Sequence, residues 1–119
     1  MKIFFIVILA INLLFEAAAG IALIAGPTGL GAAEINTEGM WGMNYGFAAL
    51  AMASAIIWLW PNRTNAAAVF SVMGMLASFH VLMTIALFLG QQMGPSIAHG
   101  ILGVCSIILL TQRAKWCES

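Results

Sequence analysis

The sequence predicts an all-α fold, a polytopic membrane four-helix bundle running up-down-up-down with both termini cytoplasmic. Three observations predict it. Of 119 residues, 63% are hydrophobic and 7% charged, and the mean hydropathy is +1.05, whereas soluble domains carry about 25% charged residues. The apolar residues fall into four runs, and a chain of this length holds four spans of about 20 residues with short connections and no separate soluble domain. The basic residues Lys2, Arg63, Arg113 and Lys115 all fall on one face of such a bundle, which marks that face as cytoplasmic. The chain is therefore read as one bundle over residues 1–119, in the cell (inner) membrane.

The first span covers residues 3–25 and stops at Gly26-Pro27, because proline cannot continue the helical ladder. The second covers residues 45–60 and stops at Pro61. With about 16 apolar residues it is short for a bilayer, so it either extends back through residues 40–44 or crosses a thinner part of the membrane. The third covers residues 66–89 and is broken by Gly90-Gln91-Gln92; the fourth covers residues 95–111, with Pro95 in a first turn that tolerates it. An outer loop at 26–44 and a short turn at 90–94 carry no Lys or Arg but include Glu34 and Glu38. Trp58, Trp60 and Trp116 mark the inner interface and Trp41 the outer one.

Lys2, the apolar stretch and Ala17-Ala18-Ala19 imitate a secretory signal, but Asn12 and Glu16 interrupt the core such a signal needs, so the segment is expected to be retained. Cys105 and Cys117 lie about 18 Å apart along a helical path, too far to bridge. Asn62-Arg63-Thr64 matches a glycosylation sequon, but on the cytoplasmic face it is a chance match. The absence of Cys-x-x-Cys, a phosphate loop, a nucleophile elbow or a basic patch argues against disulfide exchange, nucleotide hydrolysis and nucleic-acid binding.

Any chemistry must come from polar residues inside the spans. Glu16 is the only acid within an apolar run, and a charge at the centre of a membrane helix costs roughly 3 kcal/mol on insertion scales. It must be compensated or protonated. Asn12, Glu16 and Gly20 are spaced by four and share a face. His80 and Thr84 share one on the third span, while Ser96, His99, Gly103 and Ser106 follow the seam of a packed helix pair. Glu16 is ten residues before Gly26 and His80 ten before Gly90, so each lies roughly 15 Å below the outer boundary, with His99 roughly 8 Å down. Glu16, His80 and His99 are the expected catalytic residues. Asn12, Tyr45, Thr84, Ser96 and Trp41 are the expected ligand contacts, in a pocket open outward beneath the outer loop.

Each residue also has a plainer role. Glu16 hydrogen-bonded to His80 or Asn12 would fix helix register, and either histidine can simply donate to a carbonyl or hydroxyl. Met40, Met43, Met73, Met75 and Met83 are irregularly spaced and read as packing rather than copper ligands. Two histidines and a carboxylate form a set that binds divalent iron. However, no two of the three share a helix at ligand spacing, and a depth difference of roughly 7 Å between His80 and His99 strains a shared haem. Neither metal nor haem is expected.

Ala25-Gly26-Pro27, Ser78-Phe79-His80, Gly94-Pro95 and Ala98-His99-Gly100, in this layout, resemble the DoxX-like group of small four-helix membrane proteins. That resemblance implies an accessory or quinone-facing role in a membrane oxidoreductase complex, with Glu16, His80 and His99 nearest the chemistry. The chain is also similar to the small multidrug resistance family in length, helix number and a glutamate within the first helix, which implies proton exchange for a cationic drug at Glu16. Against that stand the long 26–44 connection and the one-sided distribution of Lys and Arg.

The expected function is an outward-facing intramembrane polar site for a small lipophilic ligand, quinone-like or lipid-like, in an accessory or redox-associated subunit. The alternatives are a proton-coupled transporter and an intramembrane acid/base isomerase or cyclase, in which Glu16 donates a proton and His80 or His99 takes one away. The expected cofactor, if any, is a quinone. Expected partners are membrane lipids, the lipophilic ligand and either further copies of the chain or other subunits, because Gly and Ala on several faces suit helix packing.

Overall fold

The breaks between apolar runs become helix ends. The computed structural model describes residues 1–26, 30 and 37–117, the side chains of 37 and 38 excepted. Every element among them is helical: α1 (Lys2–Ala25), α2 (Thr37–Ala53), α3 (Ala55–Leu59), a 3-10 turn (Trp60–Asn62), α4 (Ala66–Leu89), α5 (Met93–Gln112) and a second 3-10 turn (Arg113–Lys115). The stretches Lys2–Ala25, Gly39–Asn62, Ala66–Leu89 and Met93–Lys115 are long and apolar enough to cross a membrane. The expected outer loop lies partly outside the described residues, as do Glu34 and Glu118.

α1 and α4 keep the expected bounds within a residue, but the second helix starts at Thr37 rather than at 45. The glycines at 39, 42 and 46 and the acid at 38 dilute hydropathy without preventing helix. Packing overrides their low propensity. This helix is also interrupted at Ser54, whose hydroxyl donates to the carbonyl of Ala51 at 2.7 Å; such back-bonding competes with the ladder. α5 begins at Met93, so Pro95 sits in the first turn, where its missing N–H has no intrahelical partner to lose.

Both ends of α4 are capped. Asn65 accepts from the backbone N–H groups of Ala67 and Ala68, each at 3.0 Å, satisfying two donors that an uncapped helix leaves unmade. At the other end Gln92 N–H donates to Leu87 O at 2.8 Å and Gln91 N–H to Phe88 O at 3.0 Å, the paired bonds of a Schellman closure. The left-handed residue in that closure is Gln91, with φ 58°, and not the adjacent Gly90. A left-handed non-glycine residue costs about 1 kcal/mol. Gln91→Gly is therefore expected to stabilise the protein by about 1 kcal/mol, measured as a rise in the denaturation midpoint in detergent; an unchanged or lowered midpoint would contradict this turn.

The contacts divide the chain into two compact units. The first, Met1–Ile8 with Trp58–Ser119, contains the antiparallel hairpin of α4 and α5 and the first two turns of α1. Its interior includes Phe5, Val69, Met73, Leu76, Leu102 and Leu109, all buried. The second, Leu9–Ile57, contains the rest of α1 with α2, and its interior includes Leu9, Ala49 and Ala53.

Large apolar side chains cover the outside of both units, among them Leu14, Ile21, Leu82, Leu89, Ile97 and Ile101. Exposed apolar side chains of this size suit a hydrocarbon solvent. Cys105 and Cys117 form no disulfide among the described residues.

Within the second unit, α1 and α2 approach backbone to backbone. A Cβ placed on Gly20 would stand 2.7 Å from the carbonyl oxygen of Gly46, and one on Gly46 would stand 2.9 Å from that of Gly20. Only hydrogen fits at either position. Small residues that let membrane helices meet this closely replace the hydrophobic driving force that lipid does not supply.

Candidate functional site

The hairpin of the first unit brings two histidines together. His80 comes from α4 and His99 from α5, and their Nδ1 atoms are 2.9 Å apart, with ring centroids at 5.1 Å and the planes tilted by 46°. At most 2% of either residue is exposed. Phe79 stands edge-on to both rings, at 5.3 Å and 5.8 Å between centroids. The contact corrects the expected depth difference and leaves no room for a haem between the two imidazoles.

The correction has a simple origin. Ser96 Oγ donates to Thr84 O at 2.9 Å, and a Cβ on Gly103 would stand 3.5 Å from that of His80, so residues pair across a hairpin centred near Gly90. The sequence reading counted residues 91–94 as turn, whereas α5 already begins at Met93. Counted from the centre of the hairpin, His80 and His99 are nearly equidistant.

A contact between two Nδ1 atoms restricts the protons. One ring must donate Nδ1–H and the other must accept at Nδ1, so two neutral rings hold opposite tautomers. The donor ring then presents a lone pair at Nε2, and the acceptor ring presents Nε2–H. The pair is thus a donor and an acceptor joined by one proton.

The other expected ligand contacts on this unit have structural bonds. Thr84 Oγ1 donates to the carbonyl of His80 at 2.7 Å, and the hydroxyl of Ser96 is used on Thr84 O. These bonds fix the backbone beneath the histidines. Each hydroxyl oxygen keeps its capacity to accept.

In the second unit, Asn12 and Glu16 lie on the buried face of α1, Asn12 at 1% and Glu16 at 0% exposure. Asn12 Nδ2 donates to Met52 O at 3.1 Å, which ties α1 to α2. Glu16 lies one turn beyond this bond and one turn before Gly20, on the face held by both contacts. Tyr45 is half-buried on α2. Trp41 is exposed, as an interfacial anchor would be.

Trp116 departs from expectation. Sequence placed it with Trp58 and Trp60 as an interface marker, but it is buried against Phe5, with ring centroids at 5.6 Å. Sequence reasoning also missed that Lys2, Arg63, Thr64 and Trp116 line one cavity in the first unit. The one-sided Lys and Arg pattern was the signal that could have found it.

Known protein families, curated proteins and solved structures provide no match to this chain. Its chemistry has to be read from its own residues.

Proposed function

We propose that the protein is a multi-pass membrane subunit, its four helices running up-down-up-down with both ends cytoplasmic, that binds a small lipophilic carbonyl compound of the quinone class. The observation that carries this reading is the His80–His99 contact, buried in the α4–α5 hairpin. A donor and an acceptor coupled through one proton suit a ligand that alternates between carbonyl and hydroxyl. When one Nε2 takes a proton, the Nδ1 proton crosses to the second ring, and that ring releases its own from Nε2. Charge is conserved at each step, and neither ring carries a lasting charge in hydrocarbon.

Glu16 enters the proposal as the acid within an apolar run, ten residues from the outer end of its helix. Its role is to accept or return a proton. The DoxX-like resemblance supports an accessory place in a redox assembly.

Titrating the detergent-purified protein with decyl-ubiquinone and following tryptophan quenching tests the reading. Saturable binding is expected, weakened about tenfold by His99→Gln and less by Glu16→Gln, at one to two hydrogen bonds' worth of free energy. Equal binding by wild-type protein and all variants of intact helicity would sink it. Proton-coupled efflux of a fluorescent cation from liposomes, lost with Glu16→Asp, would instead favour the transporter.

A second reading rests on the same distance. Two cis ligands about 2.1 Å from a metal ion stand close to 3 Å apart, so the two Nδ1 atoms also have the spacing of a metal bite. Stoichiometric metal in protein purified without chelator, lost in His80→Asn, would favour this reading over a shared proton.

A further inference from the structure

We propose that the basic end of the first unit holds a binding site for the phosphate of an anionic glycerophospholipid. The site is a cavity of about 230 Å³ lined by Lys2, Phe5, Ile6, Arg63, Thr64 and Trp116, separate from the histidine pair. It has room for about seven waters at about 30 Å³ each, so a phosphate with part of its glycerol fits.

The polar lining consists of donors. Lys2 and Arg63 are cations, Thr64 offers a hydroxyl, and Trp116 offers an indole N–H with no acceptor capacity. The decisive group is that indole. Trp116 is 7% exposed, and its buried Nε1–H has no hydrogen-bond partner among the described residues. Buried donors are satisfied in the great majority of cases, so the buried indole N–H of a residue that lines the cavity calls for an acceptor.

Arg63 is held ready for an anion. Its Nη1 donates to Trp60 O at 2.8 Å, and its guanidinium carbon lies 4.7 Å from the centre of the Trp60 ring, which leaves other N–H groups of the fork for an oxyanion. No described residue lining the cavity is acidic. Phe5 and Ile6 supply an apolar wall beside the donors, as an amphipathic ligand requires and a free inorganic anion does not. On the expected topology this is the cytoplasmic face, where anionic lipids and juxtamembrane cations meet. A zwitterionic headgroup would bring its own cation toward Lys2 and Arg63, so net anionic lipids are selected.

Phosphatidylglycerol and phosphatidylcholine, each added to the detergent-purified protein, test the proposal by native mass spectrometry and by the melting temperature followed with circular dichroism. Wild-type protein is expected to retain phosphatidylglycerol in preference to phosphatidylcholine and to melt higher in its presence. Arg63→Gln should weaken retention about tenfold, and Trp116→Phe, which keeps the ring against Phe5 and removes only the donor, about fivefold.

A purely structural indole predicts otherwise. Trp116→Phe would then match or exceed wild-type stability without lipid and keep the full lipid-dependent rise in melting temperature. That result, or equal retention of the two lipids, overturns the proposal. Displacement of phosphatidylglycerol by millimolar glycerol 3-phosphate or inorganic phosphate would reassign the site to a soluble phosphate and overturn the lipid assignment.

Discussion

Gly20→Ala is expected to destabilise the protein by about 2 kcal/mol, and Gly20→Leu by about 3 kcal/mol or more, as overpacking does in tight interfaces. In most helix interiors the change to alanine is favourable by about 1 kcal/mol. Here the new Cβ would stand 2.7 Å from Gly46 O and 2.9 Å from Leu50 Cγ, so a backbone has to move. Gly103 provides the internal control. A Cβ there would meet Val81 and His80 at 3.4 Å and 3.5 Å, which is ordinary contact, and Gly103→Ala should be neutral or stabilising. Denaturant titration in detergent, followed by circular dichroism, reads both variants. If Gly20→Ala and Gly103→Ala shift the midpoint in the same direction, the Gly20–Gly46 approach is not what holds α1 to α2.

The second large effect concerns the histidine pair. His99→Leu removes the partner of His80 Nδ1 in a buried setting, which costs about 1–3 kcal/mol for the orphaned group. Substitution by amides resolves which nitrogen matters. The amide of asparagine is as many bonds from Cα as Nδ1, whereas that of glutamine reaches the position of Nε2. His99→Asn should therefore keep most of the stability and His99→Gln should lose about as much as His99→Leu. A double-mutant cycle with His80→Leu should show coupling of about 1 kcal/mol or more, because both single variants break the same contact. Additive losses, or glutamine outperforming asparagine, would refute the Nδ1 pairing.

The helical class was legible because apolar run length and helix-ending residues are local signals. Gly26, Pro61 and the 90–92 turn set ends that the structure places within a residue or two. The start of α2 was not legible, since the glycines that dilute its hydropathy suit close approach to another helix. Neither was the left-handed Gln91, because sequence assigns that conformation to glycine and Gly90 stood next to it. Among site residues, the burial of Glu16, His80 and His99 could be read from polar groups isolated in apolar runs. The meeting of the two histidines could not, since counting residues 91–94 as turn places His99 roughly 6 Å too shallow at the helical rise per residue. The donor-lined cavity escaped because its residues are far apart in the chain and separately look like membrane-interface anchors.

The opposite tautomers of His80 and His99 have one more consequence. The two rings cannot be set independently: if a hydrogen-bond donor occupies Nε2 of one ring, that ring carries its proton at Nδ1, and the other must present Nε2–H. Their outer ends are therefore anticorrelated across the α4–α5 seam, and whatever binds at one ring dictates the polarity offered at the other. Residues 19 positions apart in the chain thus share a single two-valued variable, reversed when one Nε2 gains a proton, the shared proton crosses and the other Nε2 loses its own, with no movement of either helix.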